Sequence, residues 1–284
     1  MKHEVDRADD ALVVATHNLM SGLRLGHLLP HYRTLRDASG LDVLCLQENR
    51  CLVRGGHGLE IARALGPRYR HLADPQEPDV GLVYDGDRLR CREHVVFPLP
   101  QVRPSFIERR LRGPRNALRH AQIAVFEDAT GRPLTVANFH LNIMGGTRHR
   151  LEQVRELARR LRRHGRPGGI VACGDTNAFH WLQTAQPTVL ARVLAPLDSL
   201  GVRAVCDPRP THYFARANEP RLPHQLAVAL GRLGLDLPQR YDVVCTNLEV
   251  TATGSALTPD SDHDLVWAAL APQAAAQPRA RASR

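Results

Sequence analysis

The chain has no apolar run approaching the length of a membrane span. Its opening, Met1-Lys2-His3-Glu4-Val5-Asp6-Arg7, carries acids where a secretory signal has a basic start and an apolar centre. Together these absences lead us to expect a cytoplasmic protein. No Pro/Ser/Gly-rich linker and no internal repeat breaks the alternation of strand-like and helix-like patterns, so one large domain over residues 1–271, acting as a monomer, is expected. The six cysteines show no metal-site spacing. Cys45, Cys173 and Cys245 fall inside apolar runs and Cys51, Cys91 and Cys206 are scattered, as reduced structural thiols would be. Lysine is nearly missing: apart from Lys2, the 38 Lys and Arg residues are all arginine.

What is present describes an ordinary globular protein: 284 residues, 43% hydrophobic and 24% charged. The net charge of +9 and the pI near 9.8 favour polyanionic partners such as nucleic acid, anionic lipid head groups or phosphorylated small molecules. The arginine bias has a plainer reading as a property of the source genome, and the basic run Arg155 to Arg166 as a helix's solvated face. From Pro272 onward the chain lacks apolar periodicity and carries Arg279, Arg281 and Arg284. Residues 272–284 therefore read as a disordered basic tail.

Buried strands are expected at residues 12–18 and 42–47, separated by a helix near His27 to Ala38, with a second helix at Leu59 to Leu65. Shorter strands fit Gly81 to Tyr84 and Cys91 to Phe97, followed by an Arg-rich loop from Pro98 to Arg115. Ala121 to Phe126 and Leu134 to Phe139 flank the hairpin signal Asp128-Ala129-Thr130-Gly131-Arg132. The clearest helix is Arg148 to Arg163, stopped at Gly165-Arg166-Pro167. Strands at 169–173, 202–206, 241–245 and 264–270 complete an α/β pattern, with a helix-like insertion from Leu222 to Leu233.

Polar residues follow these strands with regularity. Leu12-Val13-Val14-Ala15 leads to Asn18, Val43-Leu44-Cys45-Leu46 to Glu48, Leu134-Thr135-Val136-Ala137 to His140, and Gly169-Ile170-Val171-Ala172-Cys173 to Asp175 and Asn177. Ser261-Asp262-His263 stands just before the last apolar run. Strand ends on a rigid scaffold are where distant residues are gathered into one site. Glu48 is a carboxylate suited to a hard cation such as Mg²⁺ or Mn²⁺; alone it would be a surface acid. Asp175 and Asn177 sit two apart, so in an extended segment both face one side, and the plainer reading is an Asx-turn.

Taken in order, these five fragments resemble the endonuclease/exonuclease/phosphatase superfamily of DNase I-like, metal-dependent phosphoesterases. The resemblance implies a four-layer sandwich: two packed mixed β-sheets flanked by helices, with the site where strand ends converge. It implies that Asn18 ligates the cation or fixes Glu48, that Asp175 orients or deprotonates the attacking water, and that Asn177 donates to a phosphate oxygen. It further implies that His263 contacts the phosphate or transfers a proton, with Asp262 as a metal or water ligand. Asp242, in Arg240-Tyr241-Asp242-Val243-Val244, would orient His263, and His140 would stabilise the phosphoryl oxygens or the leaving group. Arg115 falls where many relatives place a phosphate-binding base, with Arg109, Arg110, Arg112 and Arg119 as competitors. His57, His71 and His212 match no motif and read as structural or surface residues.

Abasic-site endonucleases of this superfamily typically carry Asp where this chain has Met20 and Tyr where it has His140. The chain looks more like the His-bearing DNase I and sphingomyelinase branch. The resulting expectation is a Mg²⁺- or Mn²⁺-dependent hydrolase of phosphate esters, most readily a phosphodiesterase acting on nucleic acid, phospholipid or a small metabolite. The competing reading is a basic binding protein that keeps the fold without turnover.

Overall fold

A computed structural model describes residues 11–22, 24–49, 56–77, 79–101, 118–180, 182–205, 209–213 and 238–271. The first half contains β1 (Leu12–Asn18), α1 (Leu25–Ser39), β2 (Leu41–Gln47), α2 (His57–Leu65), β3 (Tyr69–Leu72) and β4 (Val80–Asp85). The second contains β5 (Leu89–Pro98), β6 (His120–Asp128), β7 (Pro133–His140), α3 (Gly146–His164), β8 (Gly169–Asp175), α4 (Gln186–Leu194), β9 (Arg203–Ala204) and β10 (Asp242–Thr246). The chain returns to the first half with β11 (Val250–Ala256) and β12 (Leu265–Leu270).

The strands form two six-stranded sheets, ordered β11-β12-β1-β2-β4-β3 and β5-β6-β7-β8-β10-β9. Each sheet has one parallel pair, β1 with β2 and β7 with β8, and each pair is joined through a helix, α1 or α3, as parallel strands require. All other pairings are antiparallel. The two halves thus share one topology although the sequence shows no repeat.

Strand alternation explains the layering. Val14, Val43, Cys45 and Leu82 of the first sheet share one buried cluster with Ile123, Val136 and Val244 of the second. The alternate residues Ala15, Leu44 and Leu46 turn outward, to Leu28 and Tyr32 of α1 and Ile61 of α2. On the other side Val154, Leu157 and Leu161 of α3 join the second sheet. With both faces covered, the central strands read as continuous apolar runs.

A polar bridge ties the sheets together beneath the strand ends. Asn138 Nδ2 donates to the carbonyls of Leu46 at 2.9 Å and Gly81 at 2.8 Å, and Asn138 Oδ1 accepts from Gln47 Nε2 at 2.7 Å. Gln47 Nε2 also donates to Thr16 Oγ1 at 3.0 Å.

Some elements differ from expectation. The strand expected at 202–206 shrinks to Arg203–Ala204, an exposed edge segment paired with Cys245 and Thr246. β3 is too short and polar to announce itself, and β11, Val-Thr-Ala-Thr-Gly-Ser-Ala, is a half-exposed edge strand of small residues. α4 follows a 3-10 turn and carries Pro187 in its first turn, where proline is tolerated. Cys45, Cys91, Cys173 and Cys245 are free thiols, while Cys51, Cys206, the insertion at 222–233 and the tail lie outside the described residues. Among the described residues, no helix is long and apolar enough to cross a membrane.

Candidate active site

Because β1 and β2 are parallel, they end at one edge of their sheet, and β7 and β8 do the same in theirs. β12 runs against β1 and β10 against β8, so these two strands begin where the others end. The register places His140, Asp175 and Asp242 side by side across three strands. Gly174 permits close approach there: a Cβ would lie 2.0 Å from the Phe139 carbonyl oxygen.

Asp175 is the node joining the halves. Its Oδ2 accepts from Asn18 Nδ2 at 3.0 Å and Asn177 Nδ2 at 3.1 Å, with His140 Nε2 at 3.5 Å and His263 Nε2 at 3.9 Å. Burial alone would raise its pKa, but His263, His140 and the donated hydrogen bonds outweigh it and hold the carboxyl below its ordinary value. The expected extended segment from Asp175 to Asn177 is not what forms. Asn177 is left-handed, with φ of 46°, and its N–H donates to Asp175 Oδ1 at 2.7 Å. An Asx-turn therefore brings the two side chains together, as the plainer reading of this motif expects. Asn177 Nδ2 also donates to the Leu141 carbonyl at 3.1 Å.

Asp242 Oδ2 lies 2.7 Å from His263 Nδ1, and Thr211 Oγ1 donates to the same oxygen at 2.7 Å. Burial depresses an imidazolium, but Asp242, Asp262 and Asp175 surround this one and push the pKa of His263 up to about 10. Asp262 is buried too; His263 and His212 nevertheless keep its carboxyl well below the usual range. His212 Nε2 stands 3.6 Å from Asp262 Oδ2, and its ring packs 4.7 Å from that of His263. Below them His17 bonds Tyr32 through Nδ1 at 2.6 Å and faces the His263 carbonyl through Nε2 at 3.2 Å; burial drops its pKa to about 3.

His140 is braced from its other side. Arg119 Nη1 donates to His140 Nδ1 at 2.9 Å and pairs with Asp79 Oδ1 at 3.1 Å. Asp79 Oδ2 lies 3.4 Å from the same His140 nitrogen, and His140 Nε2 faces Asp175. Among the five candidate arginines, Arg119 stands in the site, whereas Arg115, Arg109, Arg110 and Arg112 lie outside the described residues. Asn18 reaches Asp175 rather than Glu48, and its Oδ1 accepts the Met20 N–H at 3.0 Å. Glu48, following the strand that pairs Gln47 with Asn18, accepts from Ser21 Oγ at 3.0 Å.

Sequence reading missed Asp79, Thr211 and His212. Asp79 just precedes a strand on the neighbouring side of β2, and His212 lies in a segment held by single bridges to Gln239 and His263. The phrase Thr211-His212-Tyr213 was the available signal, without a periodic frame to place it.

The donor set suits a hard divalent cation. Glu48 follows Gln47, the strand partner of Asn18, and buried Asp262 Oδ1 finds no hydrogen-bond donor among the described residues, so carboxylate and amide oxygens are available at these strand ends. His212, Asp262 and His263 also bring potential ligand atoms within 4.8 Å of one another.

No protein-family model and no curated protein matches the sequence. Solved structures do match in fold. An endonuclease/exonuclease/phosphatase protein from Bacteroides vulgatus superposes with a TM-score of 0.63 at 16% identity, over 93% of this chain and 99% of that one. TDP2 from D. rerio, complexed with a single-strand DNA product, gives 0.64 at 16% identity over 93% and 100%. A Bacteroides thetaiotaomicron mannosyl-6-phosphatase gives 0.57 at 17% identity over 90% and 98%. The chain has the DNase I-like α/β sandwich of these proteins.

Proposed function

We propose that this chain is a Mg²⁺- or Mn²⁺-dependent hydrolase of phosphate esters, and specifically a phosphodiesterase. One observation carries the reading: His140, His263, Asn18 and Asn177 converge on buried Asp175, with Glu48 and Asp262 at the same strand ends. Neighbours of the same fold include a phosphatase and a protein bound to a DNA product, which supports phosphoester chemistry here.

Glu48, Asp262 and Asn18 would hold the cation, whose charge, when bound, neutralises the phosphoryl oxygens. Asp175, held below the ordinary carboxylate pKa, is a weak base, so it orients the attacking water rather than stripping it beforehand. His263, kept protonated by its carboxylate neighbours, donates through Nε2 to a phosphoryl oxygen. His140, held at Nδ1 between Arg119 and Asp79, turns Nε2 toward Asp175 and serves the phosphoryl oxygens or the leaving group. Both amide hydrogens of Asn177 are engaged, so a phosphate oxygen would replace one of those partners.

A fold-retaining binder without turnover would have no need of this set of oriented acids and imidazoles. The test is hydrolysis of plasmid DNA, RNA, sphingomyelin and a generic bis-ester with Mg²⁺ or Mn²⁺. Chelation should abolish turnover and either ion restore it; activity surviving exhaustive chelation would overturn the reading. Glu48→Gln should weaken metal dependence and be partly rescued by excess Mg²⁺, whereas Asp175→Asn should slow turnover without rescue. Each is expected to cost at least about tenfold, roughly 1.4 kcal/mol of transition-state stabilisation.

A further inference from the structure

We propose that Ser21 is a positioning residue for Glu48, held in place by a left-handed turn that closes the end of β1. The inference rests on the metal-dependent reading above. Met20, Ser21 and Gly22 are consecutively left-handed, with φ of 46, 57 and 67°, and Glu48 on the adjacent strand end is left-handed at 53°. Residues other than glycine enter that region at a backbone cost and stay there when their surroundings over-determine them.

The surroundings are identifiable. The Met20 N–H is tied to Asn18 Oδ1 at 3.0 Å, and His57 Nε2 bonds the Ser21 carbonyl at 3.1 Å. Glycine suits residue 22, whose φ of 67° favours it and where a Cβ, 2.0 Å from His57 Nε2, would displace that ring. His57 opens α2, and α2 is fastened to the residue after Glu48. The Asn49 carbonyl accepts the His57 N–H at 3.2 Å, and Asn49 Oδ1 accepts the Gly58 N–H at 2.6 Å. Turn, helix start and Glu48 thus close a ring of contacts, within which Ser21 Oγ donates to Glu48 Oε2 at 3.0 Å. Met20, two residues after Asn18, buries an apolar side chain and brings no charge to the site. A neutral donor on one carboxylate oxygen aims the carboxylate as hydrogen-bonded partners of metal ligands do.

Ser21→Gly separates this role from a structural one. Glycine tolerates the left-handed backbone, so the metal-free melting temperature should be unchanged or higher. Affinity for Mg²⁺ or Mn²⁺, read by calorimetric titration and by the metal-induced rise in melting temperature, should weaken about tenfold. Ser21→Asn, which accepts the same backbone and supplies an amide donor, should fall between the two. A Ser21→Gly protein with wild-type metal titration would overturn the proposal, as would a loss of metal-free stability that accounts for the weaker binding. If the wild type itself responds to neither ion, the phosphoesterase reading fails and this inference goes with it; a wild-type response shared in full by Ser21→Gly sinks the inference alone.

Discussion

His263 is a buried imidazole with carboxylates on several sides, and the nearest of them, Asp242, is itself fully buried. Its pKa near 10 keeps it charged across the neutral range. Relative to an unfolded value near 6.5, this raised pKa contributes stability that is complete below about pH 6.5 and is lost as pH climbs through about 10. Asp242→Asn keeps the size of the side chain and an acceptor oxygen but removes its charge. The pKa of His263 should therefore fall, and the alkaline limb of the rate profile should move to lower pH. His263→Ala and the double variant should be about equally slow, because the two residues act as one unit. Simple additivity, with wild-type pH dependence in Asp242→Asn, would reduce Asp242 to a strand residue.

At the scale of elements, the site depends on two sheets meeting in one register. Each half contributes a parallel pair, and residues beyond the strand ends face each other only if the halves do not slide. Asn138 is the residue placed to prevent that, since it spans from β7 to carbonyls of β2 and β4 and to the Gln47 amide. Replacing it with leucine keeps the volume but removes a bond from the buried Leu46 and Gly81 carbonyls and from the Gln47 amide, which keeps only its bond to Thr16. A loss of about 2 to 4 kcal/mol is expected, read from urea unfolding. A loss below about 1 kcal/mol would show that apolar packing alone sets the alignment of the sheets. Turns finish the work at the strand ends: Asn18, Asn142 and Asp175 each accept, through a side-chain oxygen, the N–H two residues on. These Asx-turns stop the strands and redirect the chain around the site.

At the scale of the whole molecule, the net charge of +9 decides among substrates by experiment. Binding to duplex DNA should weaken steeply with salt, with a log-log slope of about −0.9 per phosphate contacted. A lipid head group or a metabolite offers fewer phosphates to contact. A shallow slope, unchanged when residues 272–284 are removed, would move the assignment to those substrates.

The sequence by itself determined the frame. Apolar runs buried on both faces are legible as strands without any partner in view, and a polar residue ending such a run is marked by contrast, as at Asn18, Glu48, His140 and Asp175. Ser261-Asp262-His263 and Asp242 became legible through their order in the superfamily pattern. Only the tertiary structure decided what these residues touch. Asp79, Thr211 and His212 enter from short or irregular segments that carry no period to place them, and Arg119 is one of five candidate arginines that only the fold separates. The left-handed backbone at Ser21 and Glu48 is likewise held by contacts distant in sequence, which residue preference alone would not choose, whereas Asn177 reaches it through the local Asx-turn on Asp175. Composition and periodicity report what each segment buries, whereas the site is made of distances between segments, and those exist only once two sheets have packed.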